Sequence, residues 1–126
     1  MADTPSLAQT CIVHLTRRAS WEAAQRTGAY APVTLQHEGF IHCSTPAQLL
    51  DVANHVANPF LGQQDLVLLY IDPARLQAEL KYEVPQGEQD AYPHLYGSLN
   101  LDAVIKAVPF APGTNGRYSL PADLVG

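Results

Sequence analysis

Glu38-Gly39-Phe40-Ile41-His42-Cys43-Ser44, followed by Thr45-Pro46, decides how this chain is read. It is a short apolar run with a histidine in the middle, opened by a glycine and closed by a hydroxyl pair and a proline. In an extended segment successive side chains point to opposite faces. Phe40, His42 and Ser44 then share one face, and Ile41 and Cys43 the other. The second set suits a core, and the first suits the wall of a cleft.

The same pattern appears upstream in Cys11-Ile12-Val13-His14-Leu15. Parity sets Cys11, Val13 and Leu15 opposite Ile12, His14 and Thr16. Each strand thus carries a histidine, with a hydroxyl two positions on, opposite an apolar face. A third histidine, His94, sits in the short extended piece Pro93-His94-Leu95-Tyr96-Gly97. Imidazole can donate hydrogen bonds, shuttle protons or bind a metal. The three segments are expected to meet at one cleft.

Between the first two strands, Ser20 is expected to cap a helix over residues 21 to 27, with Glu22 in its first turn and Gly28 as its stop. Tyr30 to Gln36, interrupted by Pro32, reads as a loop or weak strand. After the central stretch, Thr45, Pro46 and Gln48 have the spacing of a capping box. Leu49, Val52, Ala53 and Val56 form the helical stripe behind it, and Asn58-Pro59 ends that helix. His55, beside the stripe, reads as a solvated surface residue. Leu66 to Ile71 is apolar without alternation, as in a strand covered on both faces. Asp72-Pro73 opens a helical turn through Leu76. Leu80 to Val84 alternates as a strand, with Lys81 and Glu83 opposite Leu80, Tyr82 and Val84. Pro85 to Asp90 is a polar loop, Asn100 caps one helical turn, Val104 to Val108 is the last strand, and the tail from Pro112 is irregular.

The 126 residues are enough for one domain, and 47% hydrophobic residues give it a core. The expected division is a flexible N-terminus over 1–10 and a single α+β domain over 11–126. A formal net charge of -5, with only 7 Lys and Arg, argues against nucleic-acid binding, which needs phosphate-neutralising cations. The longest strongly apolar run, Leu66 to Ile71, is far too short to span a membrane. The start carries no basic region or apolar signal core, so a cytoplasmic protein with reduced Cys11 and Cys43 is expected.

Glu38 and Glu83 are candidate acids. Glu38, beside His37 at an expected loop, reads as a solvated carboxylate, and Glu83 is the better candidate. Tyr96, Tyr82 and Trp21 could stack on a planar ring, although aromatics in such settings usually belong to the core. Cys43 is a poor nucleophile, because parity turns it away from His42. No metal-ligand spacing is present and no carboxylate is obviously placed to orient the imidazoles, so an organic ligand is expected rather than a metal.

Four segments together carry a family resemblance: Val13-His14-Leu15-Thr16, Gly39 to Ser44, Asp65 to Leu69, and Pro93 to Asn100. From about Cys11 to Phe110 the chain resembles the bacterial domain-of-unknown-function family nine-five-two, itself similar to the ADP-ribosyltransferase fold. The resemblance implies a split, mostly antiparallel sheet with flanking helices, and NAD in a cleft. His14-Leu15-Thr16 resembles the first-strand His-Gly-Thr motif, whose histidine contacts the ribose next to nicotinamide. Gly39-Phe40-Ile41-His42 resembles the second motif, with His42 at the aromatic position. His94 stands where that fold often has a catalytic glutamate, which puts transfer of ADP-ribose to protein in doubt.

The function expected on these grounds is an NAD- or nucleotide-handling transferase. His42, His94 and Glu83 would be catalytic, and His14, Thr16, Phe40, Ser44 and Tyr96 would contact the nucleotide. The alternatives are a non-catalytic small-ligand module, a three-histidine metal site, and an interaction domain with a vestigial cleft. Substrate, acceptor and oligomeric state are left open by the residues.

Overall fold

The structure, a computed structural model, describes residues 10–55, 58 and 60–125. Residues 1–9 of the expected loose terminus, Val56 of the helical stripe and the helix-ending Pro59 lie outside the described residues.

The organising strand is β4 (Leu66–Ile71), buried along its whole length. It lies between β1 (Ile12–Arg17) and β8 (Val104–Phe110), antiparallel to both. Side-chain alternation divides its six apolar residues between two cores. Val67, Leu69 and Ile71 enter one, with Ile12, Ile41, Cys43 and Leu95. Leu66, Leu68 and Tyr70 enter the other, with Cys11, Val13, Leu49, Phe110 and Tyr118. The unbroken apolar run therefore reflects a sheet packed on both faces, as the sequence indicates.

A second sheet has the order β3-β6-β5, from β3 (Ile41–His42), β5 (Glu79–Glu83) and β6 (Tyr92–Tyr96). Ile41, Leu95 and Leu80 line up across it and face the first core. His42, His94 and Lys81 form the adjacent cross-strand row, so alternation turns them to the opposite face. The two sheets touch at one antiparallel bridge. Val13 N–H donates to the Ser44 carbonyl at 2.8 Å, and Ser44 N–H donates to the Val13 carbonyl at 2.9 Å. From there β1 and β3 part. A short ribbon of β2 (Ala29–Tyr30) and β7 (Leu99–Asn100) completes the sheets among the described residues. The domain is mixed α and β, with mostly antiparallel strands.

Helix α1 (Arg18–Thr27) starts two residues before Ser20. The expected serine cap is therefore wrong: Arg17 holds the cap position without a side-chain bond, because the chain passes from strand to helix with no turn between them. Gly28 ends α1 in the left-handed region at φ 94, its N–H on the Ala24 carbonyl. The segment read as a loop or weak strand contains a helix, α2 (Val33–Glu38). Pro32 precedes it and Gly39, at φ 85, closes it, with the Gly39 N–H on the Leu35 carbonyl. No residue of α2 is fully buried, which is why it leaves little periodic signal.

The capping box appears at Thr45, whose N–H donates to Gln48 Oε1 at 3.0 Å. A 3-10 turn (Pro46–Gln48) then leads into α3 (Leu49–Ala53), which buries Leu49 and Ala53. α3 stops short of Asn58, whose side-chain amide instead reaches back to the Ala53 carbonyl at 2.8 Å. Asn100 precedes a 3-10 turn (Leu101–Ala103), but its side chain bonds Arg75, Gln77 and Asp102 rather than capping that turn. The irregular tail is anchored by Tyr118, stacked on Phe110 with ring centroids 5.0 Å apart.

Candidate functional site

Strand parity puts the right residues in the core at the centre of the chain, with Ile41 and Cys43 both buried. It misplaces the cleft. Both faces of β1 are covered: Ile12 is as buried as Val13, Thr16 is buried, and Leu15 is only half-buried. The cleft runs along the open edge of β1, where β1 and β3 diverge, and encloses about 1260 Å³. Val13 to Arg17 line one side without a gap, which no single strand face could do. His42, Ser44, Tyr92 and His94 line another side, α3 contributes Asp51 and Val52, and the 85–90 loop contributes Pro85, Glu88 and Asp90. His55, exposed as expected, also borders it.

His14 links β1 to β3 and β2 through its side chain. Past the Val13–Ser44 bridge, the His42 carbonyl is met by a side chain rather than a backbone N–H. His14 Nδ1 lies 2.5 Å from it, and Nε2 lies 2.8 Å from the Tyr30 hydroxyl. A carbonyl only accepts, so Nδ1 carries the proton. Burial pulls the His14 pKa down to about 4, against the raising effect of the His42 carbonyl and with a small lowering push from the His42 ring. His14 is thus neutral at pH 7, with both nitrogens engaged inside the protein. The ribose contact that the resemblance assigns to it would require breaking one of these bonds. Tyr30 also lies 2.9 Å from Thr16 Oγ1. Burial pushes the Tyr30 phenol up to about 12, the Thr16 hydrogen bond partly opposing this.

His42 and His94 are register partners on β3 and β6, with ring centroids 5.5 Å apart. Each is held by a glutamate. Glu38 Oε2 lies 2.6 Å from His42 Nε2, and Glu83 Oε1 lies 2.9 Å from His94 Nδ1. The expectation that no carboxylate orients the imidazoles is therefore overturned; Glu38 is exposed, as its solvated reading has it, and also pairs with His42. It sits at the last position of α2, which sequence reasoning took for a loop, and the Gly39 turn brings it over His42. The two pairs differ in setting: Glu38 and His42 are about half-exposed, whereas His94 is 5% exposed.

Behind His94 lies a supporting layer. The Tyr96 hydroxyl donates to Glu83 Oε1 in a short bond. That bond first, and the His94 bond second, hold the Glu83 carboxyl below its ordinary range, and Glu83 in turn raises the Tyr96 phenol. Phe40 stacks on the His94 ring at 4.1 Å and 18°, and Tyr96 lies 5.4 Å from Phe40. Of the residues singled out in the sequence, His14, Thr16, His42, Ser44 and His94 line the cleft. Glu83, Phe40 and Tyr96 do not, but each touches His94 or its partners from behind. Ser44 serves mainly through its backbone bridge. Tyr82 is 55% exposed on the edge strand and takes no part, and Trp21 packs on the core. Sequence reasoning missed Tyr30, whose role depends on a two-residue strand that no local pattern marks.

Among the described residues no cluster of three or more His, Cys, Asp or Glu side chains is arranged to hold a metal ion. No helix among them is long and apolar enough to cross a membrane. Cys11 and Cys43 are both free and buried.

Residues 15–107 match the family described as "Protein of unknown function (DUF952)". The chain belongs to that family. It is also similar to the solved structures of CC0527 from Caulobacter crescentus. One crystal structure is 33% identical at a TM-score of 0.75, covering 88% of this chain and 95% of that one. A crystal structure of a double mutant of CC0527 is 30% identical at a TM-score of 0.76, with the same coverage. The solution structure of CC0527 is 32% identical at 0.75, covering 89% and 94%. No curated protein matches the chain. The expected nine-five-two membership is thus shown. The matches describe an uncharacterised domain and add nothing to the ADP-ribosyltransferase likeness.

Proposed function

We propose that the cleft is the active site of an enzyme that handles NAD or a related nucleotide, with His94 as the proton-transferring group. The observation that carries this reading is the pairing of His94 with Glu83. A carboxylate on Nδ1 fixes the tautomer and leaves the lone pair on the other nitrogen, the arrangement used by histidine bases. Phe40 stacking and near-complete burial hold that ring in one orientation.

The cleft's charge favours one end of such a ligand. Glu38, Asp51, Glu88 and Asp90 line it, against Arg17 as the Lys or Arg side chain among the described lining residues. Carboxylates accept from ribose hydroxyls and favour positive charge, which suits the nicotinamide-ribose half of NAD. A diphosphate has only Arg17 to meet, held near the Phe60 ring at 5.7 Å. The residues thus fit the nucleoside half well and the phosphates modestly. In the transfer, the bond between ribose C1′ and the nicotinamide nitrogen breaks and its electron pair leaves with nicotinamide. An acceptor oxygen forms the new bond to C1′, and its proton passes to His94. Glu83, behind His94, offsets the charge that ring gains. Glu83 thus acts through His94 rather than by touching the sugar.

A binding module without catalysis would share the ligand but not its turnover. The test is incubation with NAD while following nicotinamide release, beside calorimetric titration with NAD, ADP-ribose and nicotinamide. Release that His94→Ala abolishes supports the enzyme. Binding without release supports the module. No heat with any of the three at millimolar concentration discards the nucleotide reading.

A further inference from the structure

The strap of residues 112–125 is fastened to the domain at two points. At one, Leu124 is buried in the second core, and Asp123 accepts from the Tyr70 hydroxyl at 2.6 Å and from Lys106. At the other, Tyr118 is buried, and each of its parts has a separate partner. Its ring stacks on Phe110 at an interplanar angle of 7°. Its backbone exchanges two bonds with the Asn54 side chain. The Tyr118 N–H donates to Asn54 Oδ1 at 2.8 Å, and Asn54 Nδ2 donates to the Tyr118 carbonyl at 3.2 Å. Its hydroxyl shares one hydrogen between the carbonyls of Phe60 at 3.0 Å and Gln63 at 3.1 Å.

The segment that this hydroxyl holds belongs to the cleft wall, where Asn58 and Phe60 continue the lining beyond α3. Asn58 Nδ2 donates to the Ala53 carbonyl at 2.8 Å, and Asn58 Oδ1 accepts from the Phe60 N–H at 3.0 Å. Phe60 is thus gripped at its N–H by Asn58 and at its carbonyl by Tyr118. Its ring faces Arg17, whose guanidinium carbon lies 5.7 Å from the ring centroid. Arg17 also lines the cleft, three residues along β1 from His14, or about 10 Å at the rise of an extended strand.

We infer that Tyr118 is a positioning residue for an anion-binding end of the cleft: its hydroxyl fixes Phe60, and the Phe60 ring holds the Arg17 guanidinium at the wall. Attraction between the cation and the ring face limits how far Arg17 swings into solvent. A guanidinium is permanently charged and matches the oxygens of a phosphate, so the ligand group this end takes is a phosphate or diphosphate. Loosening Phe60 costs the cleft an ordered cation and leaves His42 and His94 untouched. The phosphate step rests on the proposed ligand site, whereas the placement of Arg17 by Tyr118 does not.

Tyr118→Phe keeps the ring stack and the backbone bonds and removes only the hydroxyl. In NMR of the ligand-free variant, the Leu61 and Gln63 amides, bonded to the Asn58 and Phe60 carbonyls, should exchange roughly five- to tenfold faster. Leu68 and Leu69 on β4 should keep their rates. The Arg17 Nε–H signal should move towards its position in Phe60→Leu, which has no aromatic ring beside it. An unmoved Arg17 signal overturns the inference. Equal acceleration at Leu68 and Leu69 also overturns it, since Tyr118 would then serve only the core. The phosphate step is read by calorimetry with ADP-ribose and nicotinamide riboside. ADP-ribose should bind Tyr118→Phe several-fold more weakly than the wild type, and nicotinamide riboside should bind both equally. Equal ADP-ribose binding overturns the phosphate step. Failure of both ligands to bind the wild type discards the nucleotide reading, while the Arg17 signal still decides the positioning.

Discussion

His42 and His94 stand directly opposite one another on β3 and β6, and each imidazole is tied to a glutamate from outside that strand pair. Glu38 reaches His42 across the Gly39 turn, and Glu83 reaches His94 from β5. The buried, stacked pair is built for a fixed orientation, and the exposed pair is free to exchange partners with a ligand.

His94→Ala should lower nicotinamide release from NAD by ~10²–10⁴-fold, the usual contribution of a positioned acid or base. Glu83→Gln should lower it less, because His94 remains but its tautomer is no longer held by a charge. Equal binding of NAD to both variants, by calorimetry, would show that the loss lies in the chemical step.

Tyr96→Phe removes the larger of the two hydrogen bonds that hold the Glu83 carboxyl low. The Glu83 titration should therefore move to higher pH, as followed by carboxyl carbon NMR. A carboxyl depressed by folding adds stability above its unfolded pKa, and that stability is lost as pH falls through its folded value. The variant should lose its share at a higher pH than the wild type does.

His14 gives the opposite kind of linkage. Its folded pKa of about 4 lies below the ordinary histidine value of 6.5, so between these values the unfolded chain binds a proton that the folded chain does not. Stability is full above that window and declines as pH falls through it, by roughly 3 kcal/mol in all. Urea midpoints taken from pH 7.5 down to 4.5 should fall, and His14→Phe should flatten the slope. An unchanged slope in that variant would mean that His14 is not the group responsible.

Cys43 is buried, and burial pushes its thiol up to about 12. Its sulfur touches the Ile41 carbonyl at 3.9 Å, beyond the reach of a shorter serine hydroxyl. Cys43→Ser should cost on the order of 1–3 kcal/mol through a poorly satisfied buried hydroxyl. The native protein should resist thiol reagents at this position. Rapid labelling would show the strand to be turned the other way.

Much of the fold was legible because β4 is uniformly apolar and the capping box at Thr45 and Gln48 is local. The three histidines were also legible as a group, since each breaks an otherwise apolar run. The cleft's position was not. Parity assigns a residue to a face, whereas this cleft follows an edge, and an edge exists only once β1 and β3 separate. The Glu38–His42 pair was missed because α2 buries no residue fully and so leaves no periodic trace of the helix that positions Glu38. Tyr30 acts through contacts 14 and 16 residues away in sequence, beyond any local pattern.

The most direct test of the cleft as a nucleotide site is a titration of NAD into the ring-labelled histidine protein, followed by two-dimensional NMR. The ring signals of His42 and His94 should shift together and saturate. Those of His37, which does not line the cleft, should stay in place. Saturating shifts at His37 alone, or none at any histidine with millimolar NAD, would contradict the account.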